Sequence, residues 1–155
     1  MSQVSTVSTA FQDPGELVDG DMRLVAESLY PGDATAGWAP AYRFAITVGG
    51  QNAGDIELRL GTSDFIRQFA GNVGYNVERP HQGRRLAARA LRLLLPLAQR
   101  HGFTCIWATV DPDNWASRRS CELAGATMVE VVDLPQDCDM YREGYRQRCR
   151  YRLEC

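Results

Sequence analysis

The sequence contains no lysine, so all 17 of its basic side chains are arginines. A P-loop needs the lysine of its G-x-x-x-x-G-K-[ST] pattern to reach nucleotide phosphates, and the absence of lysine excludes a P-loop. The arginines are balanced by 19 acidic residues, which leaves a formal net charge of −2. This balance creates no overall positive field toward nucleic acid or an anionic membrane. Any phosphate compound must therefore be bound by local groups.

The chain also lacks C-x-x-C pairs and long apolar runs. Its five cysteines are an odd number without the spacing of a zinc site or a disulfide framework, which fits a reducing compartment. No apolar run approaches the roughly 20 residues that span a bilayer. Residues 1–10 have neither the basic region nor the apolar core of a signal peptide. We therefore expect a cytoplasmic protein with no metal and no membrane segment.

The length of 155 residues suits one domain with its own core. We expect a flexible N-terminal tail at residues 1–15 and a single domain at residues 16–155. Period-two alternation and β-branched runs predict seven strands, and apolar periodicity predicts two helices, at residues 83–100 and from Asp113 or Asn114 to Gly125. The predicted strands lie at residues 22–30, 42–48, 55–60, 72–77, 104–110, 127–134 and 148–153. The fold class is therefore α/β.

The most informative segment runs from the strand at residues 72–77, through a turn with Pro80 and Gly83, into the first helix. The first backbone N–H groups of a helix have no partner within the helix, and they point with the positive end of its dipole toward one place. That place is an anion site, and Arg84 and Arg85 stand beside it. The segment therefore predicts a ligand that carries phosphate.

The loop itself, Gln82-Gly83-Arg84-Arg85-Leu86-Ala87, resembles the pyrophosphate loop of the GNAT superfamily of acyl-CoA N-acyltransferases, [QR]-x-x-[GA]-x-[GA]. Gln82 and Ala87 fit the ends of the pattern, whereas Arg85 replaces a small residue. Residues 114–126 resemble the superfamily's N-x-x-[AS]-x-x-x-x-E-x-x-G-[AF] segment. The two blocks occur in the expected order and are most similar to a bacterial branch of predicted acetyltransferases.

This resemblance implies a single-domain GNAT fold with a mixed, mostly antiparallel central sheet and flanking helices. The sheet would be splayed between the family's fourth and fifth strands, here residues 72–77 and 104–110. The family usually places two helices between its first and second strands, where they cover the acceptor site. Only residues 31–41, rich in Gly and Pro, occupy that position here. The tail, residues 61–69 or the partner of a homodimer would then complete the acceptor site.

The resemblance also implies acetyl-CoA as co-substrate. Main-chain amides of the loop would hold its pyrophosphate, and Arg84 and Arg85 would add charge. The pantetheine arm would lie along Tyr75 and Val77, with the amide of Val77 or Glu78 facing the thioester oxygen. The residues assigned to cofactor binding are Tyr75, Val77, Gln82, Gly83, Arg84, Arg85, Leu86, Ala87 and Asn114.

Two catalytic roles remain open between candidates. Cys121 stands where the family often has the tyrosine that protonates the leaving thiolate, and Ser117 is the alternative acid. For removal of the amine proton Glu57 is the first choice and Glu78 the second. Asp55 shares a strand face with Glu57, so the alternation alone does not separate the two.

The implied function is direct transfer of an acetyl group from acetyl-CoA to a primary amine of a small molecule or a protein N-terminus. One alternative is a non-catalytic acyl-CoA-binding module, since Arg85 and Cys121 depart from the family pattern. Another is an acetyltransferase directed at RNA or the ribosome through the arginines and tyrosines of residues 141–152. Arginines two apart in a strand share one face, however, so an exposed sheet face is the simpler interpretation. A cysteine hydrolase is a further alternative without any local signature.

Overall fold

The computed structural model describes residues 7–155 and contains two antiparallel sheets. The first has five strands in the order β1-β2-β3-β4-β5, and the second has three in the order β6-β8-β7. The strands are β1 Leu17–Asp19, β2 Met22–Tyr30, β3 Ala41–Val48, β4 Gln51–Arg59, β5 Val73–Val77, β6 Cys105–Val110, β7 Thr127–Asp133 and β8 Gln147–Glu154. The helices are α1 Leu86–Arg100, α2 Trp115–Leu123 and the short α3 Asp139–Arg142.

All seven predicted strands are confirmed, and β1 is an additional one. It pairs with β2 through Leu17 and Leu24, and three residues are too few to show alternation. Between β3 and β4, where Gly49-Gly50-Gln51-Asn52 predicts a hairpin turn, the turn is two residues shorter. Gly49 and Gly50 form it alone, with φ of 57° and 81°, as a two-residue hairpin loop requires.

Helix α1 begins at Leu86, three residues later than predicted. Gly83 and Arg85 have φ of 84° and 58°, and a right-handed helix does not include such left-handed residues. The predicted linker at residues 61–69 also differs, since it contains a short π-helical turn at Ile66–Ala70.

The predicted splay separates β5 from β6. The two strands touch at the start of β5, where the backbone N–H of Asn72 donates to the carbonyl of Trp107 at 2.7 Å. The Asn72 side chain accepts from the Trp107 N–H at 3.0 Å and donates to the carbonyls of Arg59 and Gly61. This buried amide joins the sheets at one end. No further ladder bonds link β5 to β6 among residues 7–155, so the strands diverge beyond it.

The core lies between the first sheet and α1. The apolar face of α1, including Leu91, Leu94 and Leu97, is fully buried. It packs with Ile56 and Leu58 of β4 in one cluster that extends into the second sheet. This packing positions the start of α1 at the open end of the splay.

The reduced segment between β2 and β3 is confirmed. Among the described residues from 31 to 40 there is no helix, only a turn closed by a bridge between Asp33 and Trp38. The acceptor side of the sheet is therefore not covered by a helical pair.

The segment predicted as a flexible tail lies partly outside the described residues, since the structure does not cover residues 1–6. From Ser8 onward it makes specific contacts. The Ser8 carbonyl lies 2.8 Å from His101 Nδ1, and the Gln12 N–H donates to the Tyr42 hydroxyl at 2.8 Å. The boundary at residue 15 remains a prediction.

Candidate active site

Two cavities open near the splay. The smaller, of about 450 Å³, lies between the loop before α1 and the start of α2, and we call it the cofactor groove after the role that the sequence predicts for its residues. The larger, of about 1640 Å³, extends from β3 and β4 across the splay to α3, and we call it the acceptor cleft after the role expected there. Tyr75, Asn114 and Ser117 line both cavities. A ligand in the groove and a ligand in the cleft could therefore meet beside these three residues.

The loop before α1 supplies a run of unpartnered amides to the groove. The N–H of Arg89 is the first in α1 to donate within the helix, to the Arg85 carbonyl at 3.0 Å. The N–H groups of residues 83–88 have no hydrogen-bond partner among residues 7–155. Gly83, Leu86 and Ala87 line the groove. The loop thus has the unpartnered amides that the predicted anion site requires.

The two loop arginines have different positions. Arg85 lines the groove, whereas Arg84 extends away from it, and its Nη2 lies 3.7 Å from Asp21 Oδ2. Arg84 is therefore not placed at the groove as expected, because Asp21 in the β1–β2 turn offers it a carboxylate. The positive φ of Arg85 also explains why the family pattern has a small residue here, since glycine adopts that φ without strain.

His81 is a further polar residue at the groove. It lies in the 3-10 turn at Arg79–His81 and lines the groove. Its Nδ1 atom is buried and has no hydrogen-bond partner among the described residues. A buried polar atom without a partner is costly, and a polar ligand in the groove would satisfy it.

The outer edge of β5 faces the splay. The N–H of Glu78 donates to the Ala53 carbonyl at 2.8 Å, so it is not free to face a thioester as one alternative required. Val77 occupies the alternate position, whose N–H points away from β4 in an antiparallel ladder. The Val77 carbonyl accepts from the Gln82 side chain at 3.0 Å. Of the two candidate amides, that of Val77 is therefore the one that is free at this edge.

Asn114 caps α2 and borders both cavities. Its Oδ1 accepts from the Ser117 N–H at 3.1 Å. This is the N-cap interaction, and it leaves the Nδ2 donors of the side chain available. The position of Asn114 allows the predicted contact with the cofactor, which stays a prediction.

A cluster of three side chains closes the junction of the cavities. The Tyr75 hydroxyl lies 2.7 Å from Ser117 Oγ and 3.4 Å from Cys121 Sγ, and it can donate to the Ser117 carbonyl at 3.1 Å. Cys121 is 0% exposed, whereas Ser117 lines both cavities. Ser117 is thus the member of the predicted pair that a ligand can touch, and Cys121 lies behind Tyr75.

Burial controls the protonation of this cluster. Burial raises the pKa of the Tyr75 phenol far above its usual range, with a further contribution from Cys121. Burial also raises the pKa of the Cys121 thiol to about 11. Both groups therefore keep their protons at neutral pH and act as donors rather than bases.

The structure separates the two candidate carboxylates of β4. Glu57 lines the acceptor cleft, and its Oε2 lies 3.6 Å from Arg59 Nη2. Asp55 does not line the cleft and lies 3.3 Å from Arg43 Nη2. Glu57 is the carboxylate that an acceptor can reach, whereas Glu78 lies outside both cavities.

Three features of the two cavities were not predicted from the sequence. Tyr75 was expected at the cofactor edge, and its contact with Ser117 crosses from β5 to α2. Arg119 of α2 lines the groove opposite the loop, and Arg148 of β8 lines the cleft. The arginines resemble the exposed arginines around them in sequence, so only the packing of distant elements distinguishes them.

The comparison with protein families agrees with this geometry. A family model described as acetyltransferase (GNAT) domain matches residues 18–127, which is more than half of the chain. The chain belongs to the GNAT acetyltransferase family. The predicted GNAT fold and the predicted acyltransferase class are thereby confirmed. No curated protein sequence matches the chain.

Several solved structures of acetyltransferases share the fold at low sequence identity. Mycobacterium smegmatis RimJ in complex with CoA-disulfide is 22% identical over 74% of this chain and 53% of its own, with a TM-score of 0.58. The Salmonella typhimurium acetyltransferase described as modifying the N-terminal serine of ribosomal protein L7/L12 is 17% identical over 78% and 66%, with a TM-score of 0.58. The microcin C7 self-immunity acetyltransferase MccE, with acetyl-CoA and AMP, is 16% identical over 74% and 61%, with a TM-score of 0.57. This chain therefore spans between about half and two thirds of these relatives.

The sequence predicts neither a membrane segment nor a metal site. Among residues 7–155 no helix is both long and apolar enough to cross a membrane. The same residues contain no group of three His, Cys, Asp or Glu side chains arranged to hold a metal ion.

Proposed function

We propose that this protein is an N-acetyltransferase that moves an acetyl group from acetyl-CoA directly to a primary amine. The observation that carries the proposal is the junction of two cavities at Tyr75, Asn114 and Ser117. One cavity offers unpartnered amides suited to phosphate, and the other offers a carboxylate suited to an amine. Direct transfer requires both substrates to meet at one place, and the junction is that place.

The residues of the cofactor groove fit acetyl-CoA. The free amides of residues 83–88 and the side chain of Arg85 would bind the pyrophosphate. The unpartnered Nδ1 of His81 supports a polar ligand in this groove. Val77 and Asn114 would bind the pantetheine arm through a backbone amide and the free Nδ2 group. Arg84 has no part in this proposal because it lies at Asp21.

The chemistry requires two proton transfers. The amine nitrogen attacks the thioester carbonyl, the carbon–sulfur bond breaks, the nitrogen loses a proton and the sulfur gains one. We assign removal of the amine proton to Glu57, directly or through a water molecule. We assign donation to the sulfur to Ser117, whose hydroxyl is positioned by the 2.7 Å contact with Tyr75 and regains its proton from solvent water. Cys121 supports Tyr75 from behind.

Binding and product formation test this proposal together. Calorimetric titration should show micromolar binding of acetyl-CoA and much weaker binding of ATP, and CoA release should depend on a primary amine. Binding without release, with free amino acids, small amines and peptides as acceptors, would indicate the non-catalytic acyl-CoA-binding module instead. Absence of acetyl-CoA binding would refute the proposal.

Two classes of amine acceptor fit the proposal. A small amine and a protein N-terminus both fit a cleft of about 1640 Å³ that no helical pair covers. The relatives described as acting on ribosomal proteins favour testing peptides.

A further inference from the structure

Arg148 is a half-buried arginine in the wall of the acceptor cleft with no carboxylate partner. Its Nη2 donates to the Thr109 carbonyl at 2.7 Å, and its Nε lies 3.4 Å from Thr109 Oγ1. Thr109 is itself fixed, since its hydroxyl donates to the Phe69 carbonyl at 2.6 Å. Among residues 7–155 no carboxylate oxygen lies within 4.0 Å of the Arg148 guanidinium. The guanidinium is therefore held in place by neutral oxygens, and Asp111 of the same cleft acts on its charge only from beyond 4.0 Å.

The other arginines on this face of β8 differ in this respect. Arg150 pairs with Glu130 at 2.5 Å and Arg152 with Glu154 at 2.8 Å. Neither lines the cleft. Burial lowers the pKa of Arg148, and the more distant carboxylate of Asp111 acts in the opposite direction. A half-buried charge without a contacting counterion is costly, and an anionic ligand would reduce that cost.

Arg59 is a second arginine that lines the cleft. Its Nη1 donates to the carbonyls of Ala70 and Gly71, both at 3.1 Å, and its Nη2 is 3.6 Å from Glu57. The guanidinium lies so close over Gly74 that a Cβ there would be 2.8 Å from Nη2. Arg59 and Arg148 thus line one cleft with Glu57 as the single carboxylate within 4.0 Å of either, among the residues that the structure describes.

The rest of the cleft has an aromatic wall and an acidic side. Trp38, Tyr30 and Phe65 line the cleft and are 61%, 41% and 45% exposed. Four aspartates also line it: Asp111 is half-buried, and Asp113, Asp137 and Asp139 are exposed. Exposed aromatics suit an apolar group of a ligand, and the aspartates suit an ammonium group. The combination favours a ligand that carries both charges.

We propose that Arg148, assisted by Arg59, binds a carboxylate on the amine acceptor. The inference rests on the proposed acetyl transfer and narrows its substrate class to amines that also carry a carboxylate. Two sources have this chemistry: the α-carboxylate of a free amino acid and an acidic side chain near a peptide N-terminus. Arg148 is then a specificity-determining residue, because it holds the acceptor while its amine reaches the junction.

Matched acceptor pairs test the proposal by kinetics. The first pair is phenylalanine and phenylalaninamide, and the second is C-terminally amidated alanyl-aspartate and alanyl-asparagine. In one pair the carboxylated member should have a KM at least about tenfold lower, the effect of one charge-assisted hydrogen bond. A preference in the first pair would identify a free amino acid as the acceptor, and a preference in the second pair would identify a peptide. Equal KM values within both pairs would overturn the proposal.

Variants on β8 assign the effect to Arg148. Arg148→Gln should abolish the preference at unchanged acetyl-CoA affinity, and Arg148→Lys, which retains the charge, should restore part of it. Arg152→Gln removes the same charge from the same strand outside the cleft and should behave as the wild type. Circular dichroism and thermal unfolding check that each variant is folded. A folded Arg148→Gln protein that retains the preference would overturn the assignment.

A binding measurement separates this inference from the proposed function. N-acetylphenylalanine and acetylated alanyl-aspartate amide have no free amine, and their binding is measured by calorimetry against N-acetylphenylalaninamide and acetylated alanyl-asparagine amide. Stronger binding of an acid in the wild type, lost in Arg148→Gln, would support the carboxylate site even if no amine were acetylated. Turnover of amines with no preference for either acid would support the proposed function and refute the carboxylate site.

Discussion

The cofactor groove and the acceptor cleft are built in opposite ways. The groove takes its lining from two stretches of the chain, residues 75–87 and 114–123. The cleft takes its lining from residues 28–30, 36–43, 57–59, 65–75, 108–117 and 135–148. A phosphate site needs only the start of a helix and a loop of suitable φ, which are local properties. A site for one particular amine needs side chains from many elements, which are properties of the assembled fold.

The largest expected effect lies where the two regions meet. Ser117→Ala should lower kcat by about 100-fold, within the range of general acid catalysis, and leave the Kd of acetyl-CoA nearly unchanged. The reason is that Ser117 is the member of its cluster that both cavities expose. Steady-state kinetics with a saturating amine measures this change in kcat.

Ser117→Thr retains the hydroxyl and serves as the matched control, so it should retain most of the activity. If Ser117→Ala had normal kcat, the proton would reach the sulfur by another route, and the assignment of Ser117 would be wrong.

A groove variant should affect cofactor binding alone. Ala87→Glu places a carboxylate among the free amides of the loop, where it repels phosphate and occupies its space. We expect acetyl-CoA affinity to fall at least about tenfold, with the KM of the acceptor unchanged. Gln99→Glu adds the same charge near the other end of α1 and is the control in the same calorimetric titration. Wild-type affinity in folded Ala87→Glu would show that the phosphates bind elsewhere.

Asn114 allows binding and helix capping to be separated. Asn114→Ala should weaken acetyl-CoA binding by about 1 kcal/mol through the lost Nδ2 donor. It should also lower the free energy of unfolding by about 1 kcal/mol through the lost N-cap. Asn114→Asp keeps the cap acceptor but lacks the amide donor, so it should remain stable and still bind acetyl-CoA less tightly. Urea unfolding and titration of both variants decide this, and normal binding by Asn114→Asp would remove Asn114 from the cofactor site.

The smallest expected effect is a loss of stability at alkaline pH, which follows from the burial of Cys121 and Tyr75 at the junction. Unfolded Cys121 loses its proton near its ordinary pKa of 9.0, whereas the folded protein retains it up to about 11. The unfolded state therefore releases protons first, and the free energy of unfolding should fall as pH rises from about 9 toward 11. Tyr75 acts in the same direction. Cys121→Ala should flatten the decline measured by urea unfolding at pH 8, 9 and 10, and an identical slope would contradict this account.

The contrast between groove and cleft also explains which predictions from sequence succeeded. The seven strands and two helices follow from alternation and periodicity over five or more residues, with β5 the shortest of the seven at five residues. The start of α1 was placed too early, because nothing in the sequence shows that Arg85 adopts a positive φ. The π-helical turn at Ile66–Ala70 and helix α3 are too short to produce a periodic signal.

The same limit applies to the site residues. Gln82, Gly83, Ala87 and Asn114 are adjacent to the features that define them, a helix start in each case. Arg84 and Arg85 are neighbours in sequence, and only the position of Asp21 decided that Arg84 turns away. Glu57 and Asp55 share one face of β4, and only the neighbouring elements decided which of them borders the cleft.

The sequence alone predicted the family and the order of the elements, and it supplied the candidates for the phosphate loop and for proton transfer. These depend on short-range spacing, because a helix or strand is specified by its own residues and the loops beside it. The tertiary structure decided that Ser117 is accessible and Cys121 is not, that the amide of Val77 is free and that of Glu78 is not, and that no carboxylate contacts Arg148. Those properties depend on burial and on contacts between residues as far apart as Tyr75 and Ser117, which come together only when β5 and α2 pack.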